Sequence, residues 1–215
     1  MKRILGICTI VVLAANLNAA SISNGDFETG DPLGENGFRG GIETWTAVGS
    51  NQATLGSGFA TSGHTGNIGT FWQGSGIRQD IGETVTANTP IQVQFAIGRR
   101  DDQALAPTGF TAGLYTTDDE TALSEISLTD EPAVFDTIGV LNTVSFTFNP
   151  GSSPAKAGTG IFFRIISAGA DGDTRQVALD NVTVSVVPEP TTYALISGLG
   201  LVGMAAYRRH KRSKA

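Results

Sequence analysis

Hydrophobic side chains alternate with polar or small ones along the middle of the chain, and this period of two is the feature that most constrains the fold. The segments 91–97, 144–148 and 182–186 all follow it, with Ile, Val or Phe at every second position. A strand with one buried face has this period, whereas one face of a helix repeats every three or four residues. No helical stripe interrupts the pattern between Ser21 and Val187, so this region is predicted to be all-β.

Further candidate strands are separated by turns rich in Gly, Asn, Asp, Pro and Ser, and they cover residues 44–48, 67–72, 76–81, 110–116, 123–128 and 160–167. Roughly eight to ten short strands of this kind favour an antiparallel two-sheet sandwich of jelly-roll type. The sequence has no repeat of fixed period, which argues against a solenoid or a propeller. The region 21–187 is long enough for one domain with a sizeable core.

Charge is distributed unevenly along the chain. Of 14 Lys and Arg side chains 7 lie between Ser21 and Val187, and of 20 Asp and Glu side chains 19 do, so this region has a net charge near 7 − 19 = −12. An acidic domain of this kind repels nucleic acid and anionic lipid, so we predict no nucleic-acid partner. The acidic surplus fits a neutral ligand such as polysaccharide, or a bound cation.

The first twenty residues have the layout of a secretory signal peptide. Lys2 and Arg3 precede an apolar stretch, which is followed by a short polar segment that ends in Ala19 and Ala20. We predict a signal peptide at 1–20, with a cleavage site that could shift by one residue. The single cysteine of the chain, Cys8, lies within it, so the exported domain is predicted to have no disulfide and no cysteine nucleophile.

The C-terminal region has the layout of a membrane anchor. Residues 191–207 carry no charged side chain, and as a helix they would extend ~25 Å, just enough to cross a bilayer core. Gly198, Gly200 and Gly203 match a dinucleotide-loop spacing, but the strand and the domain that such a loop needs are missing. We therefore predict a transmembrane helix at 191–207, rather than a nucleotide loop or a buried core helix. A basic tail at 208–215 is expected to stay cytoplasmic, with positive charges at Arg208, Arg209, Lys211, Arg212 and Lys214.

The tripeptide Pro188-Glu189-Pro190, followed by this apolar span and basic end, resembles the PEP-CTERM sorting signal over residues 188–215. The resemblance implies export, transient anchoring in the inner membrane and processing by an exosortase, an integral membrane cysteine transpeptidase. It also implies a final location at the cell surface or in the extracellular matrix, in association with exopolysaccharide or biofilm. The two prolines fit this, because they favour an extended segment that a processing enzyme can reach. A proline-rich linker before an ordinary anchor is the alternative.

A second resemblance covers the region 21–187. The segments Asn24-Gly25-Asp26-Phe27-Glu28, Ile77-Arg78-Gln79-Asp80-Ile81 and Leu179-Asp180-Asn181-Val182 resemble those of galactose-binding-like carbohydrate-binding modules. In these modules the first and last strands lie close together and a structural calcium ion often binds near them. The resemblance implies Glu28 and Asp180 as calcium ligands, with Asp26 as a helper, since calcium prefers oxygen ligands. The alternative is that these carboxylates cap turns.

Sugar binding requires exposed aromatic faces with hydrogen-bonding groups beside them. The candidate ligand-binding residues are Trp72, Tyr115, Arg99 and Asp101. Phe71 and Trp72 are adjacent, so one of them must point inward.

No catalytic residues are predicted, because the sequence has neither a G-x-S-x-G elbow nor an H-E-x-x-H motif. We expect a non-catalytic exported surface or matrix protein; a carbohydrate-binding module with a defined glycan ligand is the alternative. An ice-binding role is disfavoured for lack of a regular Thr-x-Thr ladder.

Overall fold

The computed structural model describes residues 20–29, 38–49, 54–57, 66–100, 105–129, 133–169, 175–187, 198, 200–204 and 207–209. Within these ranges the chain forms the strands β1 (Phe38–Gly40), β2 (Thr46–Val48), β3 (Thr54–Ser57), β4 (Asn67–Trp72), β5 (Gly76–Thr84), β6 (Ile91–Arg99), β7 (Phe110–Thr116), β8 (Ala122–Leu128), β9 (Leu141–Phe148), β10 (Gly160–Ser167) and β11 (Gln176–Val186). A 3-10 helix, η1 (Ala133–Phe135), lies between β8 and β9.

The strands form two antiparallel sheets. One has six strands in the order β1-β3-β4-β11-β6-β9, and the other has five in the order β2-β5-β10-β7-β8. The predicted two-sheet antiparallel sandwich is therefore confirmed. The last strand, β11, lies inside the six-stranded sheet between β4 and β6, so the end of the domain is held from both sides.

The core fills the space between the sheets with the alternating residues of the sequence pattern. Ile91, Val93, Phe95 and Ile97 on β6 are each at most 2% exposed, which confirms the predicted inward face. Described members of the main core cluster lie between Ala20 and Val186. The described tail residues are exposed instead, among them Leu201, Val202, Met204 and Tyr207. None of the described tail residues belongs to the core cluster, and we expect the sandwich to fold on its own.

The N-terminal segment is tied to the sandwich by hydrogen bonds. The side-chain oxygen of the buried Gln79 accepts a hydrogen bond from the main-chain N–H of Ser23 at 2.6 Å. Its side-chain nitrogen donates to the main-chain carbonyl oxygens of Ser23 and Thr44 at 3.0 and 2.8 Å. The Val182 amide donates to the Gly25 carbonyl at 2.8 Å, so the first and last segments of the domain are in direct contact. Ala20 is only 4% exposed, so the core includes the last residue of the predicted signal peptide.

Both targeting signals fall mostly outside the described residues. This applies to residues 1–19, to Pro188, Glu189 and Pro190, to most of the predicted span 191–207 and to Lys211, Arg212 and Lys214. Residues 201–204 and 207–209 are helical, and Arg208 and Arg209 are exposed. In the part of the chain that the structure describes, no helix has the length and apolar character needed to cross a membrane.

Candidate functional site

The outer face of the five-stranded sheet carries an aromatic pair. Tyr115 on β7 and Phe162 on β10 are register partners, and their rings stack with centroids 5.5 Å apart and an interplanar angle of 21°. Leu114 and Phe163, the next residues on each strand, belong to the main core, whereas Tyr115 and Phe162 do not. The alternation of the strand thus places this aromatic pair on the side facing away from the core.

Two arginines cover these rings. The guanidinium carbon of Arg164 lies 3.8 Å from the centroid of the Tyr115 ring, and that of Arg78 lies 5.2 Å from the centroid of the Phe162 ring. The carboxylate of Glu120 joins the two arginines, with N–O distances of 2.6 Å to Arg78 and 3.0 Å to Arg164. Cation–π contacts and a shared carboxylate fix both guanidinium groups, which explains why the rings are only 2% and 5% exposed.

The turn between β7 and β8 positions Glu120. Glu120 has a φ of +55°, and the preceding Asp119 accepts hydrogen bonds from the Thr116 hydroxyl at 2.7 Å and from Lys156 Nζ at 2.6 Å. The hydrogen bond from Lys156 is the largest cause that holds the pKa of Asp119 well below its usual range. The turn is therefore tied to the loop before β10 by a charged contact.

The Tyr115 hydroxyl donates a hydrogen bond to Glu125 Oε2 on β8 at 2.5 Å. Burial, followed by this contact with Glu125, raises the pKa of Tyr115, while the neighbouring Arg164 acts in the opposite direction. The hydroxyl therefore stays protonated over the physiological range and acts as a donor.

A pocket of about 210 Å³ opens beside the aromatic pair, and its lining is formed by Thr46, Arg78, Gln79, Asp80, Thr117 and Phe162. Asp80 is exposed, and one of its carboxylate oxygens accepts from the Gly82 amide at 2.8 Å. An arginine and an aspartate thus line the pocket together with one phenylalanine and two threonines. This combination suits a small polar ligand with an apolar side.

The predicted ligand-binding residues do not form one site. Tyr115 lies on the five-stranded sheet with its ring buried, whereas a stacking platform would have to be exposed. Trp72 is 40% exposed on the six-stranded sheet, while Phe71 points into the core. Val177 is paired with Phe71 on one side and with Arg99 on the other, so these three residues lie on the same face of the sheet. Arg99 therefore lies on the face opposite to Trp72. Asp101 lies outside the described residues.

The predicted calcium ligands are occupied by protein hydrogen bonds. Glu28 accepts from the Asn67 amide at 2.7 Å, Asp26 accepts from the Glu28 amide at 3.4 Å, and the buried Asp180 accepts from the Asn181 side chain at 2.8 Å. Among the described residues, no group of three or more His, Cys, Asp or Glu side chains is placed to hold a metal. Calcium binding therefore stays a prediction from resemblance.

Four residues of the face were missed at the level of sequence: Arg78, Glu120, Phe162 and Arg164. The signal for three of them was present, since Arg78 and Arg164 are charged residues in mid-strand and Phe162 is one of two adjacent aromatics. A charge in the middle of a strand whose neighbours are core residues points outward by alternation. Glu120 had no such signal, because only the fold brings its turn over β5 and β10.

Comparison with known proteins identifies the family. The sequence matches the HpiC1-like family, described as HpiC1 cyclase, over residues 18–185. The chain belongs to the HpiC1-like family. Residues 186–212 match the PEP-CTERM protein-sorting motif, which confirms the predicted sorting signal and marks this HpiC1-like chain as an exported protein. No curated protein sequence matches the chain.

Two solved cyclase structures show the same fold. A Stig cyclase from Fischerella sp. TAU in complex with (3Z)-3-(1-methyl-2-pyrrolidinylidene)-3H-indole is 16% identical with a TM-score of 0.64, covering 79% of this chain and 98% of its own. An apo cyclase from Fischerella sp. is 15% identical with a TM-score of 0.64, covering 79% and 96%. A CBM4 structure is 14% identical with a TM-score of 0.47, covering 78% and 100%. At these identities the comparison extends to the fold of HpiC1-like proteins and not to their chemistry.

Proposed function

We propose that this HpiC1-like chain is a non-catalytic exported protein that binds a neutral glycan at the pocket beside Phe162. The observation that carries the proposal is the set of residues lining that pocket: an arginine, an aspartate, a glutamine and two threonines beside one phenylalanine. Sugars offer hydroxyls that both donate and accept hydrogen bonds, together with apolar C–H faces. Each part of the pocket has a counterpart in such a ligand.

The roles of the pocket residues follow from their chemistry. Arg78 can donate only, so it would bind sugar oxygens, while Asp80 would accept from sugar hydroxyls. Phe162 is only 5% exposed, so it would offer the apolar side of the sugar an edge of its ring and not a stacking face. The net charge near −12 of the region 21–187, from 7 basic and 19 acidic side chains, favours a neutral polysaccharide over an acidic one.

Export gives the proposed binding its context. The sorting motif implies processing by an exosortase. Association with exopolysaccharide or biofilm at the cell surface or in the matrix would bring the domain together with its ligand. We propose that the tail anchors the chain only transiently and that the processed domain then acts outside the cell.

The test is retention on a panel of neutral polysaccharides by affinity electrophoresis, with Asp80→Asn as the variant and Asp136→Asn as the control. Both positions are exposed and both changes remove one negative charge, but only Asp80 lines the pocket. We expect Asp80→Asn to weaken retention about tenfold, the loss of one good hydrogen bond to a charged group. Equal retention of both variants, or no retention of the wild type on any glycan, would reject glycan binding at this pocket.

A second candidate, a small-molecule cyclase, is favoured by family membership. A Fischerella sp. TAU cyclase of the same fold was crystallised with 4-(1H-indol-3-yl)butan-2-one. If this chain acts as a cyclase, Asp80 is the acidic group beside the aromatic ring of the pocket. Saturation-transfer NMR with that indole as the probe separates the candidates. Binding of the indole that Asp80→Asn abolishes, without glycan retention, would replace the glycan proposal with the cyclase.

A further inference from the structure

Glu120 is an unusual residue for the backbone conformation that it adopts. Its φ of +55° lies in the left-handed region, which glycine enters freely and other residues enter at a cost. The turn imposes this conformation: the Glu120 amide donates to the Thr116 carbonyl oxygen at 3.1 Å. The Thr117 amide donates to the Gly160 carbonyl oxygen at 2.9 Å, which ties the same turn to β10. Strained residues of this kind cluster at functional sites, so the side chain of Glu120 needs an explanation.

The stability of the fold does not supply that explanation. The side chain of Glu120 is 51% exposed and that of its partner Arg78 is 40% exposed. Ion pairs as exposed as this one add little to the free energy of unfolding, because solvent screens them. The chain therefore holds a strained glutamate for contacts that stabilise it only weakly, which points to a role in binding.

The two arginines around Glu120 form a site that fits a carboxylate. Each carboxylate oxygen of Glu120 contacts a different arginine: Oε1 accepts from Arg78 Nη1 at 2.6 Å, and Oε2 accepts from Arg164 Nη1 at 3.0 Å. The guanidinium groups also lie over the rings of Phe162 and Tyr115, so cation–π contacts hold them in place independently of Glu120. Two guanidinium groups arranged in this way would bind any carboxylate between them. Glu120 therefore fills an anion site from within the chain.

This anion site adjoins the proposed glycan pocket, because Arg78 belongs to both. The carboxylate of an acidic sugar in the pocket would be attracted to Arg78, where Glu120 is already bound. Glu120 is attached to the same chain, so it competes with a ligand carboxylate at a high effective concentration. Asp80 lines the pocket as well and adds a second negative charge that repels an acidic sugar. A neutral sugar meets neither obstacle, since the contact with Glu120 uses one of the five N–H donors of Arg78.

From these contacts we infer that Glu120 is the specificity-determining residue of the pocket. It occupies the position in which the carboxylate of an acidic sugar would bind Arg78 and Arg164, and it thereby restricts the pocket to neutral sugars. The inference rests on the proposed glycan function. It predicts that the pocket accepts acidic sugars as soon as the carboxylate of Glu120 is removed.

Affinity electrophoresis of the full chain in a neutral detergent tests this on polygalacturonate and on its methyl ester, which differ only in the charge of the sugar carboxyl group. Glu120→Gly is the variant, because glycine suits the left-handed backbone and the fold is not put at risk. We expect polygalacturonate to retain this variant at least tenfold more strongly than the wild type. The double variant E120G/R164Q should lose the gain, since a carboxylate would then find one guanidinium. Asp136→Asn removes one negative charge at an exposed position outside the pocket, so it should show no gain.

Thermal unfolding in sodium formate tests the anion site without any glycan. Compared with sodium chloride at the same ionic strength, formate should raise the Tm of Glu120→Gly by roughly 1–3 °C, because it binds the folded state between the two arginines. The wild type and E120G/R164Q should show no such rise.

Absence of formate stabilisation in Glu120→Gly overturns the role of Glu120, whichever glycans the protein binds. Retention of the wild type on polygalacturonate also overturns it, as does an equal gain in Asp136→Asn, which would reveal a general effect of charge. Formate stabilisation of Glu120→Gly with no glycan retained by any variant would reject the glycan ligand and leave Glu120 as the occupant of an anion site. Failure of the proposed function and failure of this inference are thus distinguished.

Discussion

Replacement of Gln79 by leucine tests whether one buried side chain holds the N-terminal segment on the sandwich. Gln79 is 7% exposed, and its side-chain amide forms hydrogen bonds with the main chain of Ser23 and Thr44, two residues that precede β2. Leucine has a similar volume, so the change removes hydrogen bonds with little change in packing. After the change, the Ser23 carbonyl keeps the Thr44 hydroxyl as a donor at 2.9 Å.

Two main-chain groups, the Ser23 amide and the Thr44 carbonyl, would then lose the partner that Gln79 supplies. Each unsatisfied, part-buried group costs ~1–1.5 kcal/mol, so the free energy of unfolding should fall by ~2–3 kcal/mol. For a domain of this size that corresponds to a Tm lower by roughly 5–10 °C. Thermal unfolding of residues 20–187 followed by circular dichroism measures it.

Gln92→Leu is the matched control, since Gln92 is exposed on β6. Its effect should stay within ~0.5 kcal/mol, as is usual for surface changes. If Gln79→Leu unfolds at the same temperature as Gln92→Leu, the hydrogen bonds of Gln79 do not stabilise the domain and the reasoning is wrong.

Three other outcomes are expected. Alanines at residues 188–190 should leave export intact and block processing of the tail, which intact-mass analysis of membrane and medium fractions would show; normal processing would rule out the sorting role. The pKa of Asp119 is lowered chiefly by Lys156, so the contribution of this contact to stability is complete above the unfolded pKa of ~4 and decreases progressively as the pH falls from there towards the lower folded pKa. The stability difference between the wild type and Lys156→Ala should therefore shrink from pH 7 to pH 3, and a constant difference would contradict this. Phe27 is fully buried, and its ring centroid lies 5.7 Å from that of Trp45. Replacing Phe27 by alanine should lower the free energy of unfolding by ~3–5 kcal/mol and shift the fluorescence of Trp45, and an unchanged midpoint of denaturant unfolding would refute its place in the core.

Alternation in the sequence was sufficient to predict most of the strands. β4, β7 and β10 have the predicted bounds, and β5, β9 and β11 extend beyond them. β1 and β3 were missed, because three or four residues of Phe-Arg-Gly or Thr-Leu-Gly-Ser carry too little hydrophobic pattern to predict a strand. Such strands form because a neighbouring strand offers unpaired backbone groups.

The candidate site was largely not predictable. Tyr115 was predicted as an exposed platform, but Arg164 covers its ring, and the covering residue lies on a strand 49 positions later in the chain. Trp72 was predicted for the same site, yet β4 and β7 belong to different sheets. Sequence gives the side of a strand on which a residue lies, and the order of the strands decides which residues meet.

By itself, the sequence determined the all-β class, the inward-facing residues and the sorting signal, since these follow from local periodicity and from a contiguous motif. The tertiary structure alone decided that Glu120 joins Arg78 and Arg164 over two aromatic rings, and that Trp72 and Tyr115 lie on different sheets. These features depend on which distant strands become neighbours. Strand order minimises exposed backbone and apolar surface over the whole domain, and no local stretch of sequence contains that information.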